Sequence, residues 1–177
     1  MTSLRTLVSL DGQWKLVLDP ENRGVDKRWF ASAPEGDHSE VTLPTMHGQG
    51  IDEAGGIAWY FHSFEGSPAW SGNFVSLNLE AAGYPVEVWL NGVRLGSHPG
   101  GGTPAQFSAG AHLQSASNLL AVRLITLNHH RPTGLFPLDS FGRVTLAISP
   151  RAHLENISAQ PDIRRKRVAI RVEAPDD

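Results

Sequence analysis

Apolar and polar residues alternate with a period of two along much of the chain. The alternation runs through QWKLVLD from Gln13, FVSLNLE from Phe74 and PVEVWLNG from Pro85. Successive side chains of a β-strand point to opposite faces, so each segment is predicted to be a strand with one apolar face. In the first segment that face consists of Trp14, Leu16 and Leu18.

Two later segments are apolar on both faces, as the central strands of a sheet tend to be. They are NLLAVRLITL from Asn118 and RVTLAIS from Arg143, and VAIRVE from Val168 alternates again. No segment has three turns of helical spacing, and the 18 glycines and 12 prolines lie mostly between the strands. Many short strands with such turn residues predict an all-β fold, a β-sandwich.

The dipeptide Asn91-Gly92 separates two short apolar runs. Both central residues of a type I′ turn need positive φ, which Asn and Gly adopt at low cost. We therefore predict a hairpin of Val86–Leu90 and Val93–Leu95.

Three consecutive glycines, Gly100–Gly102, follow this hairpin and precede Thr103-Pro104. A phosphate-binding loop needs Gly-Lys-Ser/Thr at the start of a helix, and a dinucleotide fingerprint also leads into a helix. Neither pattern is present. The glycines are predicted to let the chain pass from one sheet to the other.

The chain changes character after Pro150. Residues 1–150 are predicted to form the sandwich, and 151–177 contain a strand, a basic turn and another strand. These strands either complete the sandwich or begin a second domain. The run Arg164–Arg167 has acidic neighbours and is interpreted as a solvated turn.

Composition narrows the functional classes. Lys and Arg total 15 and Asp and Glu total 18, a net charge of −3 without a large basic patch, so no nucleic-acid partner is expected. The absence of cysteine excludes disulfides and thiolate chemistry. No signal-peptide pattern and no apolar run of ~20 residues is present, so we expect a cytoplasmic protein with no membrane partner. A disulfide-free secreted protein would have the same composition.

Residues that could carry chemistry offer no clear catalytic set. His129 and His130 are adjacent and would point to opposite faces of a strand, which argues against a shared metal ion. Ser140 lacks the Gly-x-Ser-x-Gly elbow and is interpreted as a turn residue. Asp52 and Glu53 lie in a glycine-rich loop, either as a solvated tip or as contacts to a polar ligand. We expect no catalytic residue, no metal and no cofactor.

Aromatic rings stack on the apolar faces of sugars, so the five tryptophans are candidates for sugar binding. Trp14 alternates with leucines and is predicted to be in the core. For Trp59 the pattern does not decide which face is inside. Trp70 and Trp89 are the better candidates for exposure, and Trp89 is a candidate sugar-stacking residue. The Asn156-Ile157-Ser158 sequon would matter only in a secretory pathway.

The order of these motifs resembles that of a known domain. SLDGQWKL is followed by VTLPTMHGQG, WYFHSFE, LNLEAAGYPVEVWLNGVRLGSHPGGGTPAQF and NLLAVRL. This resembles the N-terminal sugar-binding-type domain of family 2 glycoside hydrolases, the β-galactosidase, β-glucuronidase and β-mannosidase group. The match covers roughly residues 9 to 125, and its most specific part is Val88 to Phe107.

The resemblance implies a jelly-roll sandwich like that of galactose-binding domains, followed by an immunoglobulin-like domain and a catalytic TIM barrel. The paired glutamates of that barrel, one of them after an Asn, are absent here, since the chain contains no Asn-Glu dipeptide. The expected function is therefore a non-catalytic accessory domain that scaffolds the barrel and shapes the sugar pocket. A free-standing carbohydrate-binding module and a self-contained enzyme are the alternatives.

In that family, two loops can reach the sugar pocket. The first loop precedes the WYR-like strand and here holds His47, Gln49, Asp52 and Glu53. The second holds His129, His130, Arg131 and Asp139. The chain departs from the family pattern at Phe61, where the family has Arg, and in DSFGRVTL, which keeps only Arg143 of its usual motif.

Overall fold

The computed structural model describes residues 5–45, 56–83, 85–126, 142–151, 154 and 156–174. These residues form twelve strands and two short 3-10 helices, Pro68–Trp70 and Gly110–His112. The strands are β1 (Thr6–Ser9), β2 (Gly12–Leu18), β3 (Ser39–Leu43), β4 (Gly56–Glu65), β5 (Phe74–Leu79), β6 (Val86–Leu90), β7 (Val93–His98), β8 (Ala105–Ser108), β9 (Ser117–Thr126), β10 (Val144–Ser149), β11 (Asn156–Asp162) and β12 (Arg167–Glu173).

Two antiparallel sheets pack face to face. The small sheet has the strand order β1-β10-β5-β8 and the large sheet has the order β3-β2-β4-β9-β6-β7. The predicted central strands, β9 and β10, are flanked on both sides. Side chains from both sheets fill the space between them and form one buried cluster, which includes Trp14, Tyr60, Leu77, Leu120 and Leu146. The prediction of an all-β jelly-roll sandwich is confirmed.

The predicted hairpin is present as β6 and β7. Asn91 has φ +51° and Gly92 has φ +82°, as a type I′ turn requires. The crossover that follows carries the chain from β7 in the large sheet to β8 in the small sheet. Gly100, Gly101 and Gly102 all have positive φ, at 83°, 81° and 71°. The conformational role predicted for the three glycines is confirmed, since no helix begins here.

A second buried cluster lies on the outer face of the large sheet. It contains Trp59, Phe61 and Trp89, and it is covered by residues 19–34, which we call the cover segment. The cover segment explains an error in the predicted alternation of β2. Val17, expected outside, is buried under the cover. Leu18, expected in the core, is the last residue of β2 and is 45% exposed.

The last two strands pair only with each other among the described residues. Their side chains are exposed, including the basic run at Arg164–Arg167, as predicted for a solvated turn. In the part of the chain that the structure describes, no helix has the length and apolar character needed to cross a membrane.

Candidate functional site

The end of the large sheet where β4 begins and β9 ends is the candidate site. Gly56, the first residue of β4, is paired directly with Thr126, the last residue of β9. The chain segment 46–55 therefore joins the sheet beside the point where segment 127–141 leaves it. Seven of the predicted sugar-binding residues belong to these two segments and lie outside the described residues: Gln49, Asp52, Glu53, His129, His130, Arg131 and Asp139.

The eighth predicted residue, Trp89, does not have the predicted exposure. Its side chain is 5% exposed. Its ring lies parallel to that of Phe30, with centroids 5.5 Å apart, and 5.2 Å from the ring of Trp59. The expected exposure is wrong because the cover segment, which carries Phe30, packs against this ring. Trp70 is half-buried against the inter-sheet core, whereas Trp14 is in the core as predicted.

A polar cluster beside Trp89 was not predicted. Arg123 and Glu87 are paired across β9 and β6, and Nη1 of Arg123 donates to Oε2 of Glu87 at 2.5 Å. Nη2 of Arg123 donates to Oδ1 of Asn22 in the cover segment at 2.6 Å, and Nη2 of Arg94 donates to Oε1 of Glu87 at 2.9 Å. Partial burial acts to raise the pKa of Glu87, but Arg123 and Arg94 together outweigh it and lower the pKa.

A second buried carboxylate fixes the start of the cover segment. Asp19 accepts hydrogen bonds from the backbone N–H groups of Arg23 and Gly24, each at 2.8 Å. Its Oδ2 also accepts from Nε1 of Trp59 at 3.0 Å. Gly24 packs so closely that a Cβ there would lie 2.5 Å from this Nε1. Asp19 therefore holds the cover segment on the sheet directly, and Glu87 does so through Arg123.

His62 contributes to the opposite face of the large sheet. Its ring stacks on that of Trp14, with centroids 4.8 Å apart, and its Nδ1 lies 3.1 Å from the carbonyl oxygen of Gln13. Burial lowers the pKa of His62, against a smaller opposing effect of that hydrogen bond. Among the described residues, no group of three His, Asp or Glu side chains is arranged to hold a metal ion.

The sequence contained weak signals for these unpredicted contacts. Trp29 and Phe30 are adjacent aromatic residues in a polar segment, and Arg123 is a charged residue inside an apolar strand. An aromatic pair in a loop must find an apolar surface, and a charge within a central strand must find a partner. The partners depend on strand register, which pairs Trp59 with Arg123 and Arg123 with Glu87.

The fold and the site together define a class: a β-sandwich framework with two segments attached side by side at one end of its large sheet. Homologous sequences are family 2 glycoside hydrolases. The chain is 32% identical over 108 residues to a β-glucuronidase of Paenibacillus borealis. This alignment covers 58% of this chain and 18% of the relative. It is 27% identical over 157 residues to a β-galactosidase large subunit of Lactobacillus helveticus, covering 85% of this chain and 24% of the relative. No family model matches the sequence.

Solved structures share the fold. The crystal structure of Ruminococcus gnavus β-glucuronidase aligns with a TM-score of 0.79 over 100% of this chain and 34% of its own, at 19% identity. The same enzyme in complex with D-glucuronic acid aligns with a TM-score of 0.75 over 90% of this chain and 32% of its own, at 21% identity. The chain thus corresponds to a β-sandwich part of family 2 glycoside hydrolases, and it spans about a fifth of the first relative and a third of the first structure.

Proposed function

We propose that the chain is a non-catalytic accessory region of a glycoside hydrolase. It scaffolds the catalytic barrel and contributes side chains to one side of the sugar pocket. The observation that carries the proposal is the direct pairing of Gly56 with Thr126. Because of this pairing, the segment that carries Asp52 and Glu53 and the segment that carries His129, His130 and Arg131 join the sheet at neighbouring points. Groups of these types bind sugar hydroxyls and carboxylates through hydrogen bonds.

The described carboxylates support an accessory role rather than an independent active site. Glycoside hydrolysis needs two opposed carboxyl groups, one on each side of the bond that breaks. Asp19, which is buried, and Glu87, which is partly buried, are engaged with backbone amides, an indole and two guanidinium groups. A free-standing carbohydrate-binding module is disfavoured by the burial of Trp89, since aromatic sugar platforms must be accessible.

The same proposal assigns β11 and β12 to the beginning of a second, immunoglobulin-like domain. Ile157 is paired with Val172, and Ala159 with Ile170, so that one face of the hairpin is apolar. Ile157, Ile170 and Val172 are each more than half exposed. A lone two-stranded hairpin is marginally stable in water, and an apolar face of this kind is normally covered by a second layer.

Substitutions in the complete product of the gene test the pocket role. Asp52→Asn and Asp139→Asn are expected to raise KM for the cleaved nitrophenyl β-glycoside by about tenfold or more if the carboxylates bind the sugar. The panel should include the β-D-glucuronide and the β-D-galactoside. Asp26→Asn, in the exposed part of the cover segment, is the matched control and should leave KM unchanged. Unchanged KM in both loop variants would contradict the pocket role.

A further inference from the structure

The connection between β5 and β6, residues 80–85, contacts the described residues on both sides of segment 127–141. We infer that this connection is a positioning element, which fixes where that segment leaves and rejoins the sandwich through Pro85 at one end and Ala81 at the other. The inference rests on the proposed function only in taking 127–141 to carry sugar-contacting residues. Residue 84 lies outside the described residues.

At the first end, the connection meets the last residues of β9. The backbone N–H of Ile125 donates to the carbonyl oxygen of Pro85 at 2.9 Å. The next pair, Val86 with Leu124, continues the ladder between β6 and β9. Thr126 is therefore held from two sides, by its pairing with Gly56 and by the bond between its neighbour and Pro85.

At the second end, the connection meets the residues that lead into β10. The backbone N–H of Gly142 donates to the carbonyl oxygen of Ala81 at 2.9 Å, and the N–H of Glu80 donates to the carbonyl oxygen of Arg143 at the same distance. These two bonds extend the pairing of β5 with β10 beyond Leu79 and Val144. The chain thus re-enters the sandwich against the same short connection that it touched on leaving.

The contact between Gly142 and Ala81 leaves no room for a side chain. A Cβ on Gly142 would lie 2.7 Å from the backbone nitrogen of Ala81 and 3.2 Å from both its Cβ and its carbonyl oxygen. A separation of 2.7 Å from a backbone atom can be relieved only if the backbone moves. Glycine is therefore required here by close approach, and any larger residue would push the two backbones apart.

The spacing of the two contacts limits how far apart the ends of the segment can be. Ala81 and Pro85 are four residues apart, so their Cα atoms are separated by at most about 14 Å. A free segment as long as 127–141 could separate its ends by roughly 50 Å. The connection thus sets the separation of the ends far below that limit.

The connection is itself held firmly by the glycine crossover. The N–H groups of Gly102 and Gly101 donate to the carbonyl oxygens of Ala82 and Gly83, at 3.0 and 3.2 Å. Ala82 is also 1% exposed and belongs to the core between the sheets. Because these contacts make the connection rigid, it cannot absorb a displacement of Ala81 by bending between its two ends. We therefore expect the connection to shift as a unit and the displacement to reach Pro85 and the end of β9.

Hydrogen exchange of the 177-residue chain tests the inference. In the unchanged protein, the amide protons of Glu80, Ile125 and Gly142 should be protected like those of the adjoining strands. In Gly142→Ala, exchange at positions 80 and 125 should become at least about tenfold faster, whereas exchange within the core of β9 should not change. Gly110→Ala is the matched control, because a Cβ there meets only ordinary contacts at 3.5 Å or more.

The outcomes separate this inference from the proposed function. Rapid exchange of these amides in the unchanged chain would overturn the inference, and this test holds even if Gly142→Ala fails to fold. An effect of the variant at position 80 without one at position 125 would overturn it as well. In the complete gene product, Gly142→Ala should raise KM more than it lowers kcat. A product without glycosidase activity would refute the proposed function, and exchange would still decide the inference.

Discussion

The side-chain amide of Asn91 donates a hydrogen bond to Oδ1 of Asn118 at 2.9 Å, which joins the β6–β7 turn to the start of β9. Asn118 is 1% exposed. Its Oδ1 also accepts from the N–H of Gln114 at 2.8 Å, and its Nδ2 donates to the carbonyl oxygens of Gln114 and Ala116, each at 2.9 Å. Both asparagines belong to the motifs that carry the family resemblance, and here they fix backbone geometry.

Replacing Asn118 by alanine should destabilise the fold strongly. The change removes the four hydrogen bonds that this buried side chain makes with Asn91, Gln114 and Ala116, and each such bond contributes about 0.5–1.5 kcal/mol. We expect the free energy of unfolding to fall by about 2–4 kcal/mol, measured by urea denaturation. Asn73→Ala, which removes one exposed hydrogen bond to Ala69, should cost below about 1 kcal/mol. Equal losses in the two variants would contradict this account of Asn118.

Trp89 is expected to contribute to stability and not to sugar binding. Trp89→Ala would remove the ring that packs against those of Phe30 and Trp59. A buried tryptophan of this kind costs about 3–5 kcal/mol on truncation. Trp70→Ala, at a half-buried ring, should cost less. Chemical denaturation and sugar titration by calorimetry distinguish the two roles, and a variant that keeps its stability but loses sugar affinity would refute ours.

Local patterns predicted the parts of the fold that depend on nearby residues. The hairpin at Asn91-Gly92 and the crossover at Gly100–Gly102 follow from turn chemistry, which needs only the residues in the turn. The burial of Trp89 could not be predicted in this way, because it depends on Phe30, a residue of the cover segment. Val17 was misassigned for the same reason, since alternation does not reveal that residues 19–34 cover the outer face.

The stacked pair of His62 and Trp14 predicts a loss of stability in mild acid. Burial lowers the pKa of folded His62 below its ordinary value of 6.5. As the pH falls through 6.5, the unfolded chain takes up this proton more readily than the folded chain, so stability decreases until the folded pKa is passed. His62→Phe keeps an aromatic ring and cannot be protonated. Thermal unfolding from pH 7.5 to 4.5 should show a weaker pH dependence in this variant, whereas parallel curves would refute the prediction.

The ion pairs of Glu87 lead us to expect a further loss of folding stability at lower pH. Its folded pKa lies below the ordinary value of 4.5 because Arg123 and Arg94 outweigh the effect of burial. The stability that these ion pairs supply is present above pH 4.5 and is lost as the pH falls from there through the folded pKa. Glu87→Gln should flatten the stability curve in this range, and Glu65→Gln, at an exposed position, should follow the unchanged protein. Unfolding curves that fall equally in all three proteins would count against the Glu87 cluster.

The sequence predicted which two segments belong to the candidate site, but it did not predict the contacts that the cover segment makes beside it. The motif order indicated two loops next to the WYR-like strand and the G-I-x-R-like segment, and the pairing of Gly56 with Thr126 brings the attachment points of 46–55 and 127–141 together. The contacts of the cover segment with Trp59, through Asp19, and with Arg123, through Asn22, depend on strand register across the large sheet. A pattern of residue types does not show which residues are paired between strands that are far apart in the sequence.

Hydrolysis of a panel of nitrophenyl β-glycosides, measured side by side for the 177-residue chain and the complete product of its gene, tests the central claim most directly. We predict that the 177-residue chain hydrolyses none of them and that the complete product cleaves one, with the β-D-glucuronide and the β-D-galactoside as the first candidates. Hydrolysis by the 177-residue chain itself, or a complete product that cleaves no member of the panel, would contradict the account.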